Sequence, residues 1–370
     1  MRKIFISITA IVLSGCLEPQ PSPDLKEQFV SEFNIDILAQ DLKSPWSVAQ
    51  INGDYLITEK AGKSLRVSGD SETDIMGLPD DIFVSGQGGL LDLVAAPDFS
   101  QSNEIYMSYA YGNADANGTA LLRAKLIGDR LENPTIIFRA SPPKSAASHF
   151  GGRIVFLPDD TLVLTLGDGF AYREEAQNVN SHLGKIVRLN RDGGTPSDNP
   201  KLDGKPQIYS LGHRNVQGIA YDTETGELWE HEHGPRGGDE LNLIKPGANY
   251  GWPIATTGLD YNGAKITPFK EYDGMINPVH DWVPSIAPSG LAIYRGDMFP
   301  QWNGDALVGG LVSRDIRLID LEGGVSKGEV SILSDLDERV RDVRVASDGA
   351  ILVLTDDAEN GRLLRITPKL

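Results

Sequence analysis

The chain has 370 residues, and 40% of them are hydrophobic, which is enough apolar material for a large core. Its formal net charge of −18 argues against nucleic acid as a partner and against broad contact with an anionic membrane surface. Cys16 is the only cysteine, so an internal disulfide is excluded.

The first residues have the pattern of a secretory leader. Arg2 and Lys3 precede an apolar run, residues 4–13, that is too short to cross a membrane as a helix. The sequence Leu-Ser-Gly-Cys at residues 13–16 resembles a bacterial lipobox, although an ordinary secretory signal could also contain a cysteine. We expect residues 1–15 to be a lipoprotein signal peptide and residues 16–30 to be the lipidated Cys16 and a flexible tether. The protein would then be lipid-anchored in the bacterial cell envelope, on the periplasmic side of the outer membrane.

Six copies of one segment type follow the leader. Each copy consists of an apolar strand, a turn, a second apolar strand and a polar loop, and the copies begin at residues 47, 92, 153, 218, 290 and 342. This spacing is typical of the blades of a β-propeller. Residues 31–370 are therefore predicted to be all-β and to form a six-bladed β-propeller. Because the last copy lacks a fourth strand, we expect residues 33–38 to complete the last blade and close the ring.

Little else in the chain has a regular pattern. A short helical turn is expected within residues 171–180, and residues 249–284 are expected to form a long surface insertion. The chain has no P-loop, no catalytic serine elbow and no dinucleotide-binding GxGxxG motif after a strand.

Propeller geometry brings distant segments to one mouth of the central tunnel. Residues just ahead of each inner strand should meet there, together with the loops that leave each second strand. The polar residues expected in this ring are Gln87, His149, Asp168, Arg214, Asn215, residues 231–235, Arg339, Arg341 and Asp356.

Two groups of these residues predict chemistry. His149 is a candidate general base that Asp168 could orient, because a hairpin folds both onto one face; the alternative is a structural histidine and a turn aspartate. Arg214, Arg339 and Arg341 would suit a ligand with several carboxylates or phosphates. Their alternative role is to form ion pairs with neighbours in the sequence, Asp335, Asp337 and Asp342.

The segment Glu230-His-Glu-His-Gly-Pro235 suggests a metal site. A two-histidine zinc site lacks an obvious third ligand. Calcium is the more natural ion, because the Gly-Pro turn exposes carbonyls and Asp239 and Glu240 add carboxylate oxygens. The alternative is a polar strand that ends in a turn.

Several motifs together resemble those of the soluble quinoprotein glucose/sorbosone (aldose sugar) dehydrogenases, which are six-bladed propellers that bind pyrroloquinoline quinone (PQQ) and calcium. The resemblance covers residues 33–370. Its motifs are Gly86-Gln-Gly-Gly-Leu-Leu91, His149-Phe-Gly-Gly-Arg153, Leu166-Gly-Asp-Gly169, Gly212-His-Arg-Asn-Val-Gln-Gly218, Glu232-His-Gly-Pro235, Asp239-Glu-Leu-Asn242, Asn249-Tyr-Gly-Trp-Pro253, Ile286-Ala-Pro-Ser289 and Arg339-Val-Arg-Asp342.

The resemblance implies a function and a role for each matching residue. An aldose would be oxidised at its anomeric carbon to the lactone, with the hydride passing to the quinone. His149 would remove the anomeric proton with help from Asp168, and Arg214 would polarise the quinone carbonyl. The residues implied to hold the cofactor are Gln87, His149, Arg214, Asn215, Arg339 and Arg341. Those implied to bind calcium are Gly234 and Pro235 through their carbonyls and, at a second site, Glu240 and the Tyr250 carbonyl.

The chain departs from the family pattern at two positions. Family members usually have a lysine where Val312 stands, although Arg314 is close by, and some have an acid where Ser148 stands. Two other functions therefore stay open. A calcium-dependent lactonase-type hydrolase would need carboxylates or amides around a calcium deep in the tunnel, where this ring offers mainly arginines. A non-catalytic sugar- or partner-binding propeller would have lost the cofactor. The sequence does not identify the sugar, the electron acceptor or the oligomeric state.

Overall fold

The fold is built from short apolar strands that pair with their neighbours in the chain. The computed structural model describes residues 32–369, and it contains six four-stranded sheets, each antiparallel. The strands, in chain order, are β1 (Phe33–Leu42), β2 (Pro45–Ile51), β3 (Asp54–Glu59), β4 (Lys63–Ser68), β5 (Ser71–Asp74), β6 (Leu90–Ala95), β7 (Glu104–Gly112), β8 (Asn117–Ile127), β9 (Arg130–Arg139), β10 (Ile154–Phe156), β11 (Leu162–Leu166), β12 (Lys185–Leu189), β13 (Ile208–Leu211), β14 (Val216–Asp222), β15 (Glu227–Glu232), β16 (Asp239–Ile244), β17 (His280–Trp282), β18 (Pro288–Ile293), β19 (Ala306–Gly310), β20 (Ile316–Glu322), β21 (Val325–Ile332), β22 (Val340–Val345), β23 (Ile351–Thr355) and β24 (Gly361–Pro368).

Each sheet is one blade of the ring. Blades one to five take four consecutive strands each, from β2–β5 to β18–β21, and blade six has the order β1-β24-β23-β22. The predicted six-bladed propeller is therefore confirmed. Strand β1 pairs antiparallel with β24, from Phe33 opposite Pro368 to Leu42 opposite Gly361, so the N-terminal strand does close the ring.

Helical structure is confined to short segments in the described part of the chain. They are α1 (Phe99–Ser102) and three single 3-10 turns, Arg173–Gln177, Pro300–Trp302 and Ser334–Leu336. The turn expected within residues 171–180 corresponds to the first of these 3-10 turns. None of the helices within residues 32–369 has the length and apolar character needed to cross a membrane.

Two details differ from the sequence-based expectation or lie beyond it. Residues 249–284 are not wholly an insertion, because their last part forms β17 and pairs with β16 as the outer strand of blade four. Periodicity missed this strand because it has only three residues. The predicted leader, Cys16 and the tether lie outside the described residues.

Apolar side chains fill the spaces between adjacent blades. Between blades five and six, the rings of Phe299 and Trp302 stack at a centroid distance of 4.3 Å, and Phe33 of β1 packs against both. The strand that closes the ring is thus anchored by aromatic burial as well as by its hydrogen bonds.

Charged side chains, in contrast, are buried between the innermost strands. Arg153, next to β10, lies 2.9 Å from a carboxylate oxygen of Asp342 in β22. Arg344, also in β22, pairs with Asp92 of β6 at 2.9 Å and with Asp342 at 3.0 Å. We call these four residues the axial ion cluster.

The axial ion cluster also binds the backbone and side chains of neighbouring blades. Asp92 accepts hydrogen bonds from the Ser47 hydroxyl at 2.5 Å and from the Ile154 N–H at 2.8 Å, and Asp342 accepts one from the Val48 N–H at 3.1 Å. Blades one, two, three and six are therefore joined by a single network of buried charges.

We predict that Asp92→Asn lowers the free energy of unfolding by about 3–5 kcal/mol, because it leaves buried guanidinium groups without a full counter-charge. Denaturant titration of the folded chain measures this loss. The matched control is Glu322→Gln, which breaks an exposed pair with Lys327 and should cost less than about 1 kcal/mol. Equal losses for the two variants would show that the axial ion cluster does not stabilise the ring.

Candidate active site

The loops ahead of the innermost strands of several blades line one cleft. Its volume is about 300 Å³. The polar and charged part of its lining comes from blades that are far apart in the sequence, together with one exposed apolar side chain. These residues are Lys60, Gln87, Asn215, Gln217, His233, Val312, Arg339 and Arg341. The structure thus brings together four of the residues that the sequence assigned to the cofactor.

A histidine–aspartate pair lies beside this cleft. The Nδ1 atom of His149 is 2.6 Å from Oδ1 of Asp168, and both side chains are buried. The other carboxylate oxygen accepts a hydrogen bond from Nε1 of Trp252 at 2.8 Å, and Oδ1 accepts the Phe170 N–H at 2.7 Å. A carboxylate only accepts hydrogen bonds, so Asp168 holds the proton on Nδ1 and leaves Nε2 as the basic nitrogen.

The backbone around His149 is unusually constrained. His149 has a φ of 53°, in the left-handed region that non-glycine residues rarely adopt. Its N–H donates to Oε1 of Gln87 at 2.7 Å. A Cβ on Gly167 would lie 2.3 Å from the His149 carbonyl oxygen, so the turn that carries Asp168 can approach only because residue 167 is glycine. Backbone strain of this kind is concentrated at functional sites.

The surroundings of His149 favour a neutral imidazole. Burial lowers the pKa of His149 below its ordinary value, and the positive charges of Arg214 and Lys144 lower it further. Asp168 opposes this by stabilising the protonated ring. The balance leaves the imidazole neutral near pH 7, which is the form that can accept a proton.

Arg214 is held in place at several points on the other side of the pair. Its Nη1 donates to the carbonyl oxygens of His233 at 2.9 Å and Gly234 at 2.6 Å, and its N–H donates to Glu232 at 2.5 Å. The guanidinium carbon lies 5.3 Å from the centroid of the Trp252 ring. Trp252 therefore contacts both Arg214 and Asp168. Arg214 thus donates to a carbonyl that the sequence assigned to calcium, and the second lone pair of that oxygen is left for a cation.

Arg339 and Arg341 share one carboxylate. Asp356 pairs with Arg339 at 2.8 Å and with Arg341 at 2.9 Å. The partner is thus not one of the sequence neighbours considered as alternatives; Asp337 pairs with Arg314 instead, at an exposed position. One carboxylate cannot neutralise two guanidiniums, so the pair keeps positive charge for a ligand.

The two histidines of the Glu-His-Glu-His segment have structural contacts. The Nε2 atom of His231 lies 3.0 Å from the Gly290 carbonyl oxygen, and that of His233 lies 2.8 Å from the Pro288 carbonyl oxygen. Both rings therefore bridge blade four to blade five. This placement argues against zinc, in agreement with the weak ligand pattern in the sequence.

The two glutamates of the same segment belong to a buried acidic cluster. Atoms of His213, Glu230 and Glu232 that could bind a metal all lie within 4.8 Å of one another. The Asn242 amide donates to Glu230 at 2.8 Å and contacts Glu240 at 3.4 Å, which brings in a third carboxylate. We call these five residues the acidic cluster.

The acidic cluster has the unsatisfied polar atoms of a cation site, and without a cation its carboxylates keep their protons near pH 7. Burial raises the pKa of Glu230 and of Glu240 to about 8, and burial together with these two neighbours raises that of Glu232 well above its usual range. No partner within residues 32–369 satisfies the buried Oε2 of Glu230, Oδ1 of Asn242 or Nδ1 of His213. The aromatic ring of Tyr250 stacks on His213 at 4.9 Å, so the Tyr250 segment borders the cluster.

Sequence reasoning assigned no role to several of these side chains. Glu230, Glu232, His213 and Asn242 were missed as a group, although Glu-x-Glu in β15 opposite Glu-x-Asn in β16 places their side chains on one face. Lys60 follows β3, and no motif marked it. Trp252 belongs to one of the family motifs, but the sequence assigned it no role. Its hydrogen bond to Asp168 joins two loops that are 84 residues apart in the chain.

The chain is similar to known proteins over nearly its whole length. Residues 42–365 match the family model described as Glucose / Sorbosone dehydrogenase. The chain is 37% identical to aldose sugar dehydrogenase YliI of Escherichia coli, over 100% of this chain and 99% of the relative. It is 29% identical to quinoprotein glucose dehydrogenase B of Acinetobacter calcoaceticus, over 96% and 92% of the two chains.

The chain belongs to the glucose/sorbosone dehydrogenase family. The resemblance seen in the sequence is thus confirmed, and the protein is an oxidoreductase. Among solved structures, the soluble aldose sugar dehydrogenase from Escherichia coli in its apo-form matches with a TM-score of 0.87 at 38% identity, over 91% of this chain and 100% of that chain. The PQQ-bound form of aldose sugar dehydrogenase from Streptomyces coelicolor matches with a TM-score of 0.73 at 28% identity, over 91% and 99%.

We predict that His149 titrates below pH 6.5, the ordinary value for histidine. Imidazole NMR shifts followed against pH measure this, with the resonance assigned by its loss in His149→Gln. Asp168→Asn should move the titration to lower pH, because the carboxylate that favours the protonated ring is gone. Lys144→Met should move it to higher pH. A wild-type titration above pH 6.5, or shifts of the opposite sign, would contradict this description of the site.

Proposed function

We propose that this protein oxidises an aldose sugar at the anomeric carbon to the lactone, with PQQ and calcium as cofactors. The single observation that carries the proposal is the pair of His149 and Asp168 beside a cationic cleft, in a chain of this family. The names of its relatives support it, since they include an aldose sugar dehydrogenase, a quinoprotein glucose dehydrogenase and a structure in a PQQ-bound form.

The residues of the cleft fit PQQ, which is a planar quinone with several carboxylates. Arg339 and Arg341 together exceed the charge of their shared Asp356 and can pair with carboxylate oxygens. Gln87 and Asn215 add amide groups at the same cleft. We therefore assign these four residues to cofactor binding, with His149 and Arg214 at its edge. Bound PQQ would supply the acceptor for the hydride from the sugar.

The residues of the chain would move and stabilise the proton. The Nε2 atom of His149 would accept the proton of the anomeric hydroxyl, because the ring is neutral and Asp168 keeps the other nitrogen protonated. Asp168 would then stabilise the imidazolium that forms. Arg214 is fixed by two carbonyls and Glu232. Its positive charge would polarise the quinone carbonyl of PQQ, whose oxygen gains negative charge in the reaction.

The acidic cluster fits calcium, an ion that prefers carboxylate and carbonyl oxygens. Glu240 would be one ligand, with the Tyr250 carbonyl as another, and the unsatisfied oxygens of Glu230 and Asn242 support a cation there. Glu232 connects this cluster to the N–H of Arg214, so calcium would also fix the backbone of a catalytic residue. At the cofactor, the Gly234 and Pro235 carbonyls would bind a second calcium, and the two lone pairs of the Gly234 oxygen allow it to keep its contact with Arg214.

The cellular position of the protein is proposed from the sequence alone. We propose that Cys16 is lipidated and anchors the chain to the bacterial envelope, on the periplasmic side of the outer membrane. Cys16→Ala should then fail to incorporate labelled palmitate and should leave the membrane fraction. Unchanged membrane association would contradict the anchor.

We predict that the purified apoprotein reduces an artificial electron acceptor with an aldose only after PQQ and calcium are added. His149→Gln should keep PQQ affinity and lose turnover by roughly a hundredfold or more, because it removes the general base. Arg341→Ala should instead weaken PQQ binding, because it removes a charge-assisted partner of a carboxylate. Calorimetry separates binding from turnover.

The same assays can contradict the proposal. If a panel of aldoses gives no turnover and PQQ does not bind, the cofactor assignment is wrong. Turnover of a lactone with calcium alone would favour a hydrolase. Loss of PQQ affinity in His149→Gln, with normal turnover at saturating PQQ, would show that His149 is a cofactor contact and not the base.

We predict that calcium alone raises the melting temperature of the apoprotein by about 5 °C when it is present at roughly a hundredfold its dissociation constant. Glu240→Gln should remove this increase, because it replaces a buried carboxylate by a neutral amide of the same shape. Glu322→Gln, at the exposed end of β20 in blade five, is the control and should respond as wild type. An equal calcium response in Glu240→Gln would place the ion elsewhere.

A further inference from the structure

The positive charges of the cleft are not equivalent. Arg339 uses Nε and Nη2 on Asp356, at 2.9 Å and 2.8 Å, and Arg341 does the same at 3.1 Å and 2.9 Å. The carboxylate therefore cancels one of the two guanidinium charges. Val312, which lines the same cleft and is 60% exposed, adds no charge.

Lys60 is the cleft cation that a carboxylate does not compensate. Its Nζ donates to the carbonyl oxygen of Gly86 at 3.1 Å, and no carboxylate of residues 32–369 lies within ion-pair distance of it. An ammonium has three donors, and a single neutral carbonyl occupies one of them. The remaining donors and the full charge are available to an anion in the cleft.

The position of Lys60 is fixed by its own backbone. Its N–H donates to the Ser44 carbonyl at 3.0 Å, and its carbonyl accepts the Leu90 N–H at 3.3 Å. A Cβ on Gly89 would lie 1.9 Å from the Lys60 carbonyl oxygen, so the loop that carries Gln87 packs directly on this residue. The ammonium is thus held at the edge of the cleft by the loop that also binds His149, and less ordering is needed when an anion binds.

We propose that Lys60 binds a carboxylate of PQQ and adds an uncompensated positive charge that draws this cofactor into the cleft. The inference rests on the proposed function. It assigns to blade one a cofactor contact that neither the motifs nor the family resemblance indicated. With Val312 at the position where the family usually has a lysine, the cation comes from blade one instead.

The test measures PQQ affinity in the apoprotein, by calorimetry and by quenching of tryptophan fluorescence, without any turnover. Lys60→Met keeps the length of the side chain and should weaken PQQ binding roughly tenfold or more. Lys60→Arg keeps the charge and should stay within about threefold of wild type. Lys63→Met, an exposed lysine three residues away at the start of β4, is the control and should bind as wild type.

A second ligand separates charge from structure. The trimethyl ester of PQQ has no carboxylate charge, so Lys60→Met and wild type should bind it equally. The affinity of wild type for PQQ should also fall more steeply with added salt than that of Lys60→Met, because one charge pair fewer is screened in the variant.

Three results would overturn the inference. If Lys60→Met binds PQQ as tightly as wild type, Lys60 is not a cofactor contact, and the proposed function is unaffected. If Lys60→Met loses as much affinity for the ester as for PQQ, the role of Lys60 is structural. If wild type does not bind PQQ at all, both the proposed function and this inference are wrong.

Discussion

The axial ion cluster is the constraint on which the rest of the structure depends. Burying Arg153, Asp92 and Asp342 beside the half-buried Arg344 is unfavourable unless each is paired. The pairs of Arg153 with Asp342 and of Arg344 with Asp92 join different blades, so they form only when the ring is closed. Arg153 also donates to the carbonyl oxygens of Gln217 at 2.8 Å and of Arg341 at 3.0 Å. The cluster therefore fixes the backbone of a cleft arginine at the same time as it joins the blades.

The acidic cluster is connected to the proposed active site through Glu232, which binds the backbone of Arg214. Without a cation, burial keeps protons on its carboxylates. Glu232 then accepts the hydrogen bond of the Arg214 backbone N–H while it is surrounded by other buried acids. A bound calcium would replace those protons and make Glu232 a fixed anion. The cofactor side and the calcium side of blade four are then coupled through one residue, Arg214, whose guanidinium contacts the Gly234 carbonyl.

Much of the fold and part of the site could be predicted from the sequence, and the physical reason differs between them. Repeated strand pairs determine the blades because each pair must bury its apolar faces against the next, so the six copies and the closing strand were visible. Contacts between loops were not. The Asp356 pairing, the carboxylates around Asn242 and the position of Lys60 follow from strand register and from where blades meet, and a single sequence carries little sign of either. The strand β17 was missed because its three residues cover little more than one two-residue period of alternation.

In the proposed function, the cleft positions PQQ so that His149 can deprotonate a sugar there. The most direct test is an anaerobic single-turnover experiment on the protein reconstituted with PQQ and calcium, in which absorbance reports the redox state of the quinone. An excess of aldose should reduce the bound quinone stoichiometrically in wild type, whereas His149→Gln should bind the same amount of PQQ but reduce it at least about a hundredfold more slowly. Reduction at equal rates in both proteins, or no reduction in wild type with PQQ fully bound, would contradict it.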